Sequence, residues 1–386
     1  MKILHVASFD GNIGDIANHT GFYTSFRKYI DAQCRFDQLE MRQFYKSWGI
    51  RKFDEKFASQ ANQYDLVVFG GGGFFRMHWD YSYTGTTIDI NDEVLSLIKK
   101  PMLFNGMGVS DGGEAVESAI LKFGNFLNKI ISLEKCFVSI RNDGSSDIIK
   151  KHFGSETCKD ISVVPDGGYF IIPSIRKHPE IVSGKTNIAI CLGGDMPDVK
   201  FNEKEGHISR VKFTKKFAEY CTTLLESNDN YRIIFAPHIP NDIEFIGEIL
   251  TAIPDIYKRQ RITVAALLNG LATDGMVTYD LYKNCDLVLG MRHHANVCSI
   301  GMNIPTIGIV TNESHKKDFD EIGLPHRCIF VNRDGFEKVL LEKTQEALQN
   351  PATLKEENRE VLARVTESNE AYFTRLAKWL KLHHQQ

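Results

Sequence analysis

The feature that most constrains this chain is a rhythm that breaks once and then restarts. Apolar runs of strand length, rich in β-branched residues, alternate with longer amphipathic stretches. Ile3–Ala7 reads as a strand, followed by a glycine-containing turn and a helix over about Ile16–Ile30. Asp65–Gly70 (Asp-Leu-Val-Val-Phe-Gly) has the continuous apolar character of a buried parallel strand. Met102–Gly106 is another, then a helix from about Glu114 to Leu133, a strand at Cys136–Ile140, a helix at Ser145–His152 and a strand at Ile161–Val164. Pro173–Lys185 has two prolines, a glycine and no period, and reads as an interdomain linker. Beyond it the alternation resumes. Strands are expected at Asn187–Leu192, Arg232–Ala236, Ile262–Ala265, Asp286–Gly290, Pro305–Val310 and Cys328–Val331, with helices at Val211–Glu226, from about Asp242, and around Gly275–Asn284. From Ala352 onward no strand signal remains. Val361, Leu362, Val365, Tyr372, Phe373, Leu376, Trp379 and Leu380 keep a period of about 3.6, the mark of one or two amphipathic helices. Such βαβ repetition builds parallel sheets covered on both faces by helices.

Length and composition agree. A chain of 386 residues accommodates two domains, and 42% hydrophobic with 25% charged residues is the make-up of a globular protein. Lys and Arg number 46 against 49 Asp and Glu, a net charge of −3, which argues against a general nucleic-acid binder. An anionic ligand would need a local positive field. The apolar stretch Met1–Ser8 is too short for a signal-peptide core, and no run of about 18 apolar residues exists to span a membrane. Eight cysteines with no C-x-x-C pair, several inside apolar runs, read as reduced core thiols of a cytoplasmic protein rather than a zinc site.

The polar motifs sit at expected strand ends, where open α/β sheets bind ligands. Gly11-Asn12-Ile13-Gly14-Asp15 follows the first strand; it is either an anion-accepting turn or a tight connection capped by Asp15, and it is not a dinucleotide fingerprint. Gly70-Gly71-Gly72-Gly73 ends the strand at Asp65, with no Gly-Lys-Ser/Thr to make a P-loop, and Arg76, His78 and Asp80 follow it. Asn105-Gly106-Met107-Gly108 is a second small-residue loop. Arg141 leaves a buried run, either for a ligand or to pair with an Asp at the following helix start; Asp166 either fixes its turn or meets substrate. In the second half, His238 stands at a strand end. The strongest constellation is Gly290-Met291-Arg292-His293-His294-Ala295-Asn296, where a strand delivers an Arg and two His open a helix. Adjacent His residues diverge on a helix, which argues against a two-His metal site. Lys316, expected in the loop after the next strand, is placed to close the same site.

These residues resemble the polysaccharide pyruvyl transferase family. The resemblance rests on Gly290-Met291-Arg292-x-His294-Ala295, a strand ending in Gly301-Met302-Asn303-Ile304-Pro305-Thr306, and Lys316, together with Gly11–Asp15, Asp65–Gly73, Asn105–Gly108, Val138–Ser145 and Val164–Asp166 in order, over about residues 2–320. The chain departs from that pattern at His293, commonly apolar in the family, and in having Arg-Asn-Asp at 141–143. The resemblance implies an α/β fold of two facing Rossmann-like domains (GT-B-like) with a C-terminal helical tail. It divides the chain into 1–175 on the acceptor side, 185–350 on the phosphoenolpyruvate side and a tail at 351–386. It implies that phosphoenolpyruvate and a sugar diol give a pyruvate ketal and phosphate, in cytoplasmic assembly of a surface polysaccharide such as an exopolysaccharide. The acceptor is a glycan or its lipid-linked precursor, with peripheral contact at the inner face of the plasma membrane, and neither cofactor nor metal is required. His294 and Arg292 are implied as catalytic, and Arg141, His238, His293 and Lys316 are expected at the donor. Asn12, Asp15, Gly71, Gly72, Arg76, His78 and Asn105 are expected at the acceptor or in its loops. Two other classes remain. One is a GT-B glycosyltransferase using a nucleotide sugar, distinguished by which donor saturates the protein. The other is a catalytically silent sugar- or phosphate-binding protein, for which a protonatable group in the anion site would be superfluous.

Overall fold

The computed structural model describes residues 1–112, 115–268 and 275–383. It divides into two compact units. The first comprises Met1–Phe9, Asn18–Gly167 and Val365–Gln386; the second comprises Asp10–Ala17 and Gly168–Arg364.

The first unit carries β1 (Lys2–Ala7), β2 (Arg35–Glu40), β3 (Leu66–Gly70), β4 (Phe75–Arg76), β5 (Met102–Met107), β6 (Val109–Ser110), β7 (Cys136–Arg141) and β8 (Ser162–Val164). Six form one parallel sheet in the order β2-β1-β3-β5-β7-β8, and β4 pairs with β6. β3 and β5 are buried along their whole length, as their unbroken apolar sequence requires. β2 is polar (Arg-Phe-Asp-Gln-Leu-Glu) because it is an edge strand, and it carries no strand signal in the sequence.

The second unit repeats the plan with β9 (Thr186–Cys191), β10 (Tyr231–Phe235), β11 (Ile262–Val264), β12 (Leu287–Gly290), β13 (Thr306–Val310) and β14 (Cys328–Phe330), in the order β11-β10-β9-β12-β13-β14, all parallel. The change of direction falls at β9/β12, a topological switch point of the kind that opens a ligand crevice at strand carboxyl ends.

The expected strands lie within a residue or two of the observed ones. The differences have physical causes. The helix expected from Glu114 is Glu117–Ser132, and Glu114 lies outside the described residues. The segment 173–185 is irregular but not free: buried Asp280 accepts the Ser174 backbone N–H at 2.6 Å and pairs with Arg176 at 3.3 Å, which ties it to the second unit. Asp10–Ala17 also belongs to that unit, although it follows β1 of the first. Helix Phe336–Gln349 has no counterpart in the sequence reading. The tail is one helix, Pro351–His383, with residues 384–386 outside the described set. Its Tyr372, Phe373, Leu376 and Leu380 pack with Ile3, Phe22, Phe26 and Val68 in a core of the first unit. Its earlier turns lie in the second, where Asn358 donates to the Ile304 carbonyl at 2.9 Å. All eight cysteines are free thiols, six of them buried. Among the described residues no helix is long and apolar enough to cross a membrane.

Candidate active site

β12 is a four-residue buried strand that ends at Gly290. A Cβ there would lie 2.2 Å from Asn296 Oδ1, so the strand can end in this way only on glycine. Asn296 in turn donates to the Gly290 carbonyl at 3.0 Å and locks the strand to the helix His293–Gly301. Arg292 is the N-cap residue of that helix, and His293 and His294 are its first two members.

The Arg292 guanidinium is anchored. Nε donates to Asp242 Oδ2 at 2.7 Å, and Nη2 reaches Asp242 Oδ1 and, at 2.9 Å, Asp195 Oδ1. Asp242 is fully buried and also accepts the backbone N–H groups of Gly194, His238 and Ile239 at 2.9, 2.9 and 3.1 Å. Burial would raise its carboxyl, but the Arg292 and backbone donors outweigh that and hold it below the usual range. Asp195 behaves alike: burial opposes ionisation, yet Arg292 and Lys200 hold it down at about 2. Lys200, itself buried, donates to Asp195 at 2.7 Å and to the Gly193 carbonyl at 2.9 Å. Two cations and two carboxylates therefore cancel at the carboxyl ends of β9 and β12. The fork of Arg292 is therefore engaged by Asp242 and not open to a bidentate ligand, and only Nη1 is without a partner among the described residues.

The histidines divide into two kinds. His238 is fully buried, with Nε2 2.8 Å from the Tyr282 hydroxyl. Burial, aided by the Arg292 charge, pushes it down to about 3, so it is neutral and not a donor-binding cation. Burial likewise pushes His315 down to about 4. His293 and His294 are at the helix N-terminus instead. His293 Nδ1 is 2.7 Å from Asp318, and the two rings meet edge-on at 4.9 Å. His294 packs against the first turn of helix Ile13–Tyr29: a Cβ on Gly14 would lie 2.6 Å from its Nδ1. The glycine turn after β1 thus makes room for His294 within the second unit. Asn12 serves that turn by accepting the Gly14 N–H at 3.0 Å, and Asp15 is in the first helical turn. Neither belongs to the first unit, where an acceptor role was expected. Lys316 is not in a loop. It lies on helix Glu313–Glu321, ion-paired with Asp320 one turn on.

In the first unit the glycine run is largely a packing device. Cβ atoms on Gly70 and Gly71 would strike the Asn105 carbonyl at 2.2 Å and His19 Nδ1 at 2.7 Å, and both residues have positive φ. Gly72 lies against the Phe74 ring, and only at Gly73 is the space open. Asn105 is buried and its Oδ1 accepts the Tyr372 hydroxyl at 2.7 Å, so the C-terminal helix uses the amide expected at the acceptor. Arg76 is half-buried on β4, and His78 Nε2 accepts the Trp79 indole N–H at 3.0 Å. Arg141 donates to Asp143 at 2.7 Å and to buried Asp166 at 3.1 Å, while Asp143 receives the Ser145 N–H. This is the Arg–Asp arrangement at a helix start that the sequence left open. Asp195, Lys200, Asp242, His315 and Asp318 were not singled out in the sequence, because nothing local marks them as neighbours of Arg292 or His293.

Two parallel, helix-covered sheets in Rossmann-like units, with polar clusters at strand carboxyl ends, define a GT-B-class α/β protein. Solved structures agree on the fold. The Staphylococcus aureus MnaA structure with UDP is similar at a TM-score of 0.54 and 12% identity, over 93% of this chain and 91% of that one. The glycosyltransferase SnogD from Streptomyces nogalater is similar at 0.51 and 11%, over 98% and 99%. Within that class, the family described as polysaccharide pyruvyl transferase matches residues 12–313, and the chain belongs to it. Arg292, His293 and His294 fall inside the match, whereas Lys316 and Asp318 lie beyond it. No curated protein matches the chain in sequence.

Proposed function

We propose that this protein transfers pyruvate from phosphoenolpyruvate to two hydroxyls of one sugar in a surface glycan or its lipid-linked precursor, forming a pyruvate ketal and releasing phosphate. The observation that carries this reading is the histidine pair opening helix His293–Gly301 beside an Arg292 already neutralised by carboxylates. A helix N-terminus and imidazolium attract a phosphate. With Asp195 and Asp242 matched by Arg292 and Lys200, no uncompensated carboxylate of that cluster repels it.

In this scheme the enol methylene takes a proton and leaves an oxocarbenium-like carbon. One sugar hydroxyl adds to it and sheds its proton. Phosphate then leaves with the electron pair of its C–O bond, and the second hydroxyl closes the ketal as its proton passes to the departing phosphate. The first step needs a general acid that works near neutral pH. His238 and His315, held neutral by burial, are unsuited to it, which leaves His294 as the proposed proton donor and phosphate partner. Asp318 orients His293 beside it. Arg292 sets the helix start and offers Nη1. The second unit takes the donor in this reading, and the first, with Arg141, takes the neutral acceptor.

The test is phosphate release from phosphoenolpyruvate across lipid-linked and synthetic galactosides, glucosides and mannosides, with nucleotide sugars as competing donors. Acceptor-dependent phosphate release is expected, and it should persist in EDTA because the scheme uses neither metal nor cofactor. Turnover of a nucleotide sugar with none of phosphoenolpyruvate would replace this reading by the glycosyltransferase one.

A further inference from the structure

The first unit has a surface that the donor chemistry leaves unused. Residues 45–52 read Tyr-Lys-Ser-Trp-Gly-Ile-Arg-Lys: three cations and no acid, in a chain whose net charge is −3. Residues 46–52 are all exposed, with Trp48 at 47% and Ile50 at 63%. The segment is nevertheless built. The Trp48 and Gly49 N–H groups donate to the Tyr45 carbonyl at 3.0 and 2.9 Å, Gly49 supplies a φ of 62°, and Arg51 N–H donates to the Gln43 carbonyl at 2.8 Å. Tyr45 meets Trp79 edge-on at 4.6 Å, Trp79 lies 5.3 Å from Tyr81, and Lys46 Nζ sits 5.1 Å over the Tyr81 ring. These contacts join the segment to residues 79–83, where Tyr81 and Tyr83 are 51% and 68% exposed.

The carboxylates nearby bond other groups. Asp54 caps the helix Glu55–Ala61, Asp80 is held by Ser118 and Lys122, and Asp89 accepts the Tyr83 N–H at 2.8 Å. Among the described residues the Arg51 guanidinium bonds the neutral side-chain amides of Gln43 and Gln60. Among the described residues no carboxylate pairs with Lys46, Arg51 or Lys52.

We propose that this surface docks the protein on an anionic phospholipid bilayer, with Trp48 and Ile50 entering the headgroup region and Lys46, Arg51 and Lys52 meeting lipid phosphates. Charge complementarity selects the occupant. Trp and Tyr favour the membrane–water boundary, an exposed Ile gains by leaving water, and uncompensated Lys and Arg gain near an anionic leaflet. A neutral glycan would leave all three cations unmatched, and the core of a protein interface is depleted in Lys. The inference does not depend on the phosphoenolpyruvate reading, since docking needs no turnover.

The test is co-sedimentation of the full chain with vesicles of phosphatidylcholine alone and of phosphatidylcholine mixed with phosphatidylglycerol. Binding is expected on the mixed vesicles only, and it should weaken as salt rises. Replacing Lys46, Arg51 and Lys52 together by Gln should cut partitioning on the order of a hundredfold. Trp48→Ser with Ile50→Ser should also weaken binding and should remove the part of the tryptophan fluorescence that brominated lipid quenches. All five positions are exposed, so an unchanged circular dichroism spectrum is expected for both variants. Absence of binding to the mixed vesicles overturns the proposal. So does binding that both variants retain, or a surface that instead retains soluble neutral glycan in a Trp48-dependent manner.

Discussion

Arg141 and Arg292 stand at carboxyl ends of parallel strands, β7 of the first unit and β12 of the second, and the contrast between them is instructive. Arg141 is the last residue of β7 and Arg292 lies two residues past β12; each is mostly buried, and each is held by two aspartates. At Arg141 one cation faces Asp143 and Asp166, and the following helix starts with Gly144 in the left-handed conformation and Ser145. At Arg292, Lys200 adds a second cation, and the following helix starts with two histidines. The first cluster pairs one cation with two carboxylates, and the proposed function gives it the neutral acceptor. The second matches two cations to two carboxylates beside a histidine-led helix N-terminus, and the proposed function gives it the anionic donor.

The largest expected effect tests the histidines. His294→Gln should retain part of the donor affinity but lose turnover by about 10²–10⁴-fold, and the alkaline limb of the pH–rate profile should go with it. Near-normal turnover with that limb intact would reduce His294 to anion binding at most. The next effect sets the two arginines against each other. Arg292→Lys keeps the charge but breaks the fork held by Asp242, and hydrogen bonds to charged groups are worth roughly 1.5–3 kcal/mol. Donor-side kcat/KM should fall on the order of ten- to a hundredfold, whereas Arg141→Lys should change the acceptor KM and leave the donor KM in place. If both variants shift the donor KM alike, the comparison fails.

The smallest effect is on stability. His238 is held neutral down to about pH 3, while in the unfolded chain it titrates near the ordinary value of about 6.5. A depressed pKa contributes stability that is complete above the unfolded value and is lost as pH falls toward the folded one. The protein should therefore lose stability from about pH 6.5 toward pH 3, and His238→Gln should flatten that decline by on the order of 1 kcal/mol per pH unit. Urea unfolding across that range reads it out; equal slopes would show that His238 is not a buried neutral group.

The βαβ alternation and the Arg292–His294 constellation were legible in the sequence because each is local. A buried parallel strand is an unbroken apolar run, and a strand-to-helix junction puts its functional residues side by side. The same locality made the family recognisable, and residues 12–313 match it. β2 was not legible because an edge strand need not be apolar, and helix Glu313–Glu321 was not because it is mostly charged.

The state of the site was decided by tertiary structure alone. Asp242 and Asp195, which occupy the Arg292 guanidinium, stand 50 and 97 residues away in the chain. Gly14 accommodates His294 from the far end of the sequence, and Tyr372 of the C-terminal helix takes the amide of Asn105. A sequence declares which residue types a junction presents. Which of their hydrogen-bonding valences stay open depends on partners that only folding brings near, because a buried charge must be matched wherever in the chain its partner lies.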